Sequence, residues 1–103
     1  MSRPKPIDVP LWLAVSRDTG DPGPLRDEHL EYLRGLDERG ALFASGPIAA
    51  DHGQPSLGGV TVFRAADAEE AHRILADEPY IRAGMRTYEL LAWSVRQGNL
   101  VAG

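Results

Sequence analysis

The sequence has no cysteine. Disulfides, thiolate nucleophiles, iron–sulfur ligation and zinc–thiolate sites are therefore excluded, and nothing in the composition asks for an oxidising compartment. Lysine is nearly absent too: Lys5 is the single one among eleven basic residues, and fifteen acids bring the formal net charge to −4. A nucleic-acid binder would carry a basic patch or stripe, so no nucleic-acid partner is expected. No apolar run approaches the ~20 residues of a membrane span. The longest compact one, Leu11-Trp12-Leu13-Ala14-Val15, has the length of a strand. The opening Met-Ser-Arg-Pro-Lys-Pro lacks the apolar stretch of a secretory signal, so the expectations are a cytoplasmic location and no membrane partner. The three histidines fall in no metal-ligand spacing; neither a metal nor a cofactor is expected.

What is present suffices for one domain over residues 1–103. With 43 % hydrophobic and 25 % charged residues, the chain can build a core, though a subunit interface would help at this size. Residues 1–10 hold three prolines and read as an extended arm, residues 98–103 as a loose tail, and residues 11–95 as the folded core.

Leu11 to Ser16 shows no helical period and reads as a strand with two apolar faces: Trp12 and Ala14 on one, Leu11, Leu13 and Val15 on the other. A turn-rich loop leads to Pro24, which suits a first helical turn. Leu25, His29, Leu33 and Leu36 then form one helical stripe, which Leu30 widens, and Gly40 is placed for a left-handed cap. Ala41 to Ser45 reads as a second strand, broken at Gly46-Pro47, with a polar loop from Ile48 to Leu57. Val60 to Arg64 is a β-branched third strand. Asp67 precedes a helix whose apolar face is Ala68, Ala71, Ile74 and Leu75, and Pro79 disfavours helical geometry at Glu78, stopping that helix near Asp77. Tyr80 to Gly84 is a connector with room for one helical turn, and Met85 to Val95 is the fourth strand. The order β-α-β-β-α-β is that of an α+β ferredoxin-like sandwich. Its antiparallel sheet would be bare on the face away from the helices. Tyr88, Leu90 and Trp93 are expected there, and a second copy of the chain is the simplest cover.

Chemistry concentrates at few positions. His52 lies in a polar loop and His72 on a helix flank, and both read as solvated residues. His29 differs, because a leucine would serve an apolar stripe better. It reads either as a general acid or base or as a buried histidine satisfied by a backbone carbonyl. Asp77 and Glu78 close the second helix; the period places Glu78 inward and Asp77 outward. Either a carboxylate there orients an imidazole, or both cap a solvated helix end. Ser45-Gly46-Pro47 offers a ligand a hydroxyl and an N–H, or is a bare turn. Gly58-Gly59 lacks the context of a phosphate loop.

Taken in order, Arg26-x-x-His29-Leu30-x-x-Leu33, Gly40-x-Leu42-x-x-Ser45-Gly46-Pro47, Glu78-Pro79-Tyr80-Ile81-x-x-Gly84 and Tyr88-Glu89-x-x-x-Trp93 resemble the YCII-related (YciI-like) family over residues 11–95. That family is similar in fold to muconolactone isomerase and other dimeric α+β barrels, which implies a homodimer with sheets packed face to face. The resemblance further implies a His–Asp dyad in a small cleft. Carried over, the histidine is His29 and the acid before the proline is Glu78, a departure from the usual aspartate, with Asp77 one residue earlier as the alternative. Arg26, Ser45, Gly46 and Tyr80 would line the cleft and bind. A relative that dehydrochlorinates a chlorinated hydroxyquinol implies a lyase- or isomerase-type proton transfer on a small ring. The alternative is a non-catalytic domain that binds a small ligand in the same cleft.

Overall fold

The computed structural model describes residues 10–98. The extended arm expected for 1–10 and the loose tail expected for 98–103 fall, apart from Pro10 and Gly98, outside the described residues. The elements are β1 (Leu11–Asp18), α1 (Arg26–Glu38), β2 (Leu42–Ala49), β3 (Ser56–Arg64), α2 (Ala68–Ala76), α3 (Pro79–Arg82) and β4 (Arg86–Trp93), with a 3-10 turn at Gly23–Leu25 ahead of α1. The four strands form one sheet in the order β2-β3-β1-β4, with every neighbouring pair antiparallel. This is the expected β-α-β-β-α-β arrangement.

The local signals act as their chemistry dictates. Gly40 adopts φ +72°, and Ala41 N–H returns to the Leu36 carbonyl at 2.9 Å, closing α1. The Asp67 side chain accepts the Glu70 N–H at 2.9 Å, satisfying one of the free donors at the start of α2. Glu78, held extended ahead of Pro79 (φ −66°, ψ 126°), separates α2 from the single turn of α3.

Two strands run further than turn residues suggested. β2 continues through Gly46-Pro47 to Ala49, with register shifts at Leu42/Ala44 and Ile48/Ala49. It lies at the sheet edge, where the missing N–H of Pro47 forfeits no ladder bond. The expected loop from Ile48 to Leu57 shrinks to 50–55. β3 begins at Ser56 and includes Gly58-Gly59, which pair with Arg17 and Ser16 of β1. A Cβ on Gly58 would stand 1.9 Å from the Ser16 carbonyl oxygen, so the close approach of the two backbones there requires glycine.

The strand period of two sorts the core. Trp12 and Ala14 join Phe63, Ala65, Ala71 and Leu75 under the helices, and the Trp12 indole donates to the Ala65 carbonyl at 3.1 Å. Leu11, Val62 and Val95 form a second cluster on the opposite face, with Leu13, Phe43 and Val60 packed against it. Tyr88 and Leu90 belong to the helix-side core, which corrects their assignment to the bare face. They lie directly across from Ser16 and Ala14, so they share those residues' side of the sheet, while Leu91 and Trp93, 44 % and 37 % exposed, take the other. Leu30 is 43 % exposed and stands off the helix stripe. Among the described residues no helix is long and apolar enough to cross a membrane.

Tyr32 ties α1 to α2: its hydroxyl donates to the Ile74 carbonyl. Burial, with the Glu78 and Asp77 carboxylates behind it, holds this phenol far above its usual range. A raised folded value means stability that is complete below the ordinary phenol value of 10.0 and is lost as pH climbs past it. Tyr32→Phe is expected to lower the unfolding free energy at neutral pH by about 0.5–1.5 kcal/mol and to flatten its fall above pH 10. Urea titrations of both proteins across the alkaline range measure the two effects.

Candidate active site

The site is built around one carboxylate. Glu78 is 5 % exposed, and its two oxygens have separate partners. Oε2 accepts the Ile81 N–H at 3.1 Å, capping α3, and Oε1 bonds Nδ1 of His29 on α1. Proline at the first position of α3 holds Glu78 in the extended geometry that a cap requires. A carboxylate accepts but does not donate, so His29 presents Nδ1–H to it, and in the neutral imidazole Nε2 is the acceptor. Among the described residues no other side chain bonds His29, and no buried side-chain nitrogen or oxygen lacks a partner. The unpaired Nε2 therefore reaches solvent.

Aromatic contact fixes the ring plane. Tyr80, on α3, stacks on the imidazole with centroids 4.1 Å apart and planes 11° from parallel. The Arg86 guanidinium carbon lies 4.7 Å from the Tyr80 centroid, and Arg86 Nε donates to Asp18 Oδ1 at 2.8 Å. Burial holds the Tyr80 hydroxyl above the usual phenol range despite the opposing Arg86 charge, so it is a neutral phenol near pH 7.

A cleft of about 650 Å³ opens between α1 and the helix-side surface of β2 and β3. His29, Tyr80, Arg26, Ser45 and Gly46, all singled out from sequence, line it together. Asp77 does not: it caps the C-terminus of α2, is exposed, and faces other grooves. Of the two acids, Glu78 is the one paired with His29, because the extended residue before proline turns back toward α1 while the last helical one points outward. His52 is exposed in the β2–β3 loop, and His72 is exposed with Nδ1 bonded to the Tyr88 hydroxyl at 2.8 Å.

Sequence reasoning missed Asp18, Gly58, Gly59, Thr61 and Arg86, which line the same cleft. Gly58-Gly59 are set in a strand and bring no phosphate loop, yet they form part of its floor. Arg86 had a readable signal: it shares the period of Tyr88 and Leu90, so a charge points to the face that apolar residues fill. Among the described residues no cluster of three or more His, Asp or Glu stands ready for a metal ion.

A family model described as the YCII-related domain matches residues 17–94. The chain is similar in structure to 5-chloro-2-hydroxyhydroquinone dehydrochlorinase (TftG) from Burkholderia phenoliruptrix AC1100, solved in complex with 2,5-dihydroxybenzoquinone. The TM-score is 0.71 at 22 % identity, over 82 % of this chain and 93 % of that one. It is also similar to SnoaB, a cofactor-independent oxygenase from Streptomyces nogalater, with a TM-score of 0.53 at 13 % identity, over 90 % and 98 % of the two chains. At these identities the likeness shows the fold alone, an α+β sandwich on a four-stranded antiparallel sheet. No curated protein sequence matches the chain.

The two-acceptor role of Glu78 is directly testable. Glutamine offers one acceptor where two donors must be met, so Glu78→Gln is expected to destabilise the fold by about 1–3 kcal/mol. Glu78→Ala, which also removes the cap, should lose about 1 kcal/mol more. Chemical denaturation at pH 7 reads both, and a Glu78→Gln protein as stable as the wild type would refute the arrangement.

Proposed function

The chain belongs to the YCII-related domain family, and on that footing we propose that it is a small cofactor-independent enzyme performing proton transfer on a small ring-bearing molecule. One observation carries this reading: the buried Glu78 holds Nδ1 of His29 and leaves Nε2 free on a residue that lines the cleft. In this reading Nε2 is the base. It takes a proton from a C–H or an enol O–H of the bound ring, and the electron pair of the broken bond becomes a new π bond. In an elimination from C–H the leaving group departs from the adjacent carbon with its bonding pair; from an enol O–H the C–C π bond shifts by one position and the leaving group departs from the allylic carbon. In an isomerisation the neighbouring π pair shifts and the imidazolium returns the proton to the carbon that receives it. Glu78 stabilises the imidazolium that forms between the two steps, and Tyr80 keeps the ring in plane. Arg26, Ser45, Gly46 and Tyr80 hold the ligand. The dehydrochlorinase of the same fold, bound to a dihydroxyquinone, supports a hydroxylated ring as the substrate class.

The same reading includes a homodimer. Leu13, Val60 and Phe43 are half-buried on the face away from the helices, and Leu91 and Trp93 are exposed at its side. A second copy packed on that face would bury upwards of ~2,000 Å² in total, the range of obligate dimers.

With 5-chloro-2-hydroxyhydroquinone as probe, the wild type is expected to release chloride, and His29→Gln to slow release by about 100-fold or more. Equal rates in both proteins would remove His29 from the chemistry. No release above the buffer rate would leave a ligand-binding domain. Sedimentation equilibrium at micromolar concentration should give a dimer, and Leu91→Asp combined with Trp93→Asp should give a monomer; a monomeric wild type overturns the dimer.

A further inference from the structure

The guanidinium of Arg86 is placed for more than a strand-to-strand ion pair. Arg86 opens β4 directly opposite Asp18 of β1. Its side chain reaches past β1 toward β3, where Nη1 lies 3.2 Å from the point a Cβ of Gly59 would occupy. The absent side chain of Gly59 is therefore what admits the guanidinium. The side chain is 11 % exposed, and among the described residues only its Nε has a hydrogen-bond partner, Asp18 at 2.8 Å. No buried side-chain nitrogen among the described residues is left unpaired, so the two Nη groups, which carry four N–H donors between them, each keep some exposure, and Arg86 lines the open cleft. The Tyr80 ring touches both this guanidinium and the His29 imidazole, and all three line the one cleft.

We propose that Arg86 is the anion-recognition residue of this cleft, and that the ligand is a small planar molecule whose negative charge is shared by two oxygen atoms, met by the paired Nη groups of Arg86. A guanidinium fork matches two oxygens bidentately, which a single-oxygen anion cannot use in full. The acids of the cleft do not cancel this capacity. The Asp18 carboxylate meets the guanidinium at Nε, away from the free edge, and Asp21 Oδ1 accepts the Gly23 N–H at 3.0 Å. Arg26 adds a second positive charge to the lining. The inference rests on the cleft being the substrate site, and it holds whether or not His29 moves a proton.

Calorimetric or NMR titration at pH 8 tests it with benzoate and tropolonate as two-oxygen anions and benzamide as the neutral match for benzoate. Wild type should bind at least one of the anions, and bind benzoate more tightly than benzamide. Which anion binds separates a carboxylate from an oxygen pair carried on the ring itself. Arg86→Gln should weaken anion binding about ten-fold or more, the equivalent of one charge-assisted hydrogen bond. Arg86→Lys, which keeps the charge and loses the fork, should fall between. Asp18→Asn should tighten anion binding about two- to five-fold by removing a neighbouring negative charge; a purely structural Asp18–Arg86 pair would give no tightening. His29→Gln should still bind, so a failure of the proton-transfer reading leaves this result standing. Neither anion binding to wild type at millimolar concentration, or equal binding by a folded Arg86→Gln protein, overturns the proposal.

Discussion

Everything at the candidate site depends on the two-sided use of one buried carboxylate. Glu78 lies where α2 has ended and α3 has not begun, and Pro79 keeps its backbone extended. From that position one oxygen caps α3 and the other bonds His29 across to α1. A buried carboxylate stripped of water is tolerable only with its acceptors filled, and here each has one donor. The same bonds that make burial tolerable fix the tautomer and orientation of His29 and seat Tyr80, two residues on, against the imidazole. Packing of helices and placement of the chemistry are one arrangement, so neither changes without the other.

The sheet divides the molecule's tasks between its faces. On the helix side, apolar residues fill the centre, from Trp12 and Ala14 to Phe63 and Leu90. Towards the end of the sheet where β1 finishes and β4 starts, the same face turns polar, with Asp18, Arg86, Thr61 and Ser45 around the cleft. The change coincides with Gly58-Gly59, where missing side chains draw β3 against β1 and leave room for the Arg86 guanidinium. On the other face Leu91 and Trp93 stay exposed. A chain this short leaves a large share of its apolar surface uncovered by itself.

Much of this was legible in the residues. Gly40, Asp67 and Pro79 each act through their own backbone or nearest neighbours, and each ends or starts an element as its chemistry predicts. His29 announced itself by interrupting a leucine stripe, while Glu78 and Asp77 both stood as candidate partners. The errors have a common cause. Pro47 breaks a strand only if its N–H is needed by a neighbour, and β2 is an edge strand that needs none. Gly58-Gly59 stood outside the third strand until β1 lay against them. Tyr88 and Leu90 changed faces once Ala14 and Ser16 stood opposite.

The sequence by itself determined the element order, the helix ends, the apolar stripes and the singularity of His29 within one of them. These depend on backbone preferences and short periods, which act over a few residues. Tertiary structure alone decided which strand is an edge, which of two adjacent acids meets the imidazole, and that Arg86 and Asp18, 68 residues apart, share the cleft with His29. Those outcomes turn on pairing register and on contacts between distant segments, and no local propensity encodes them.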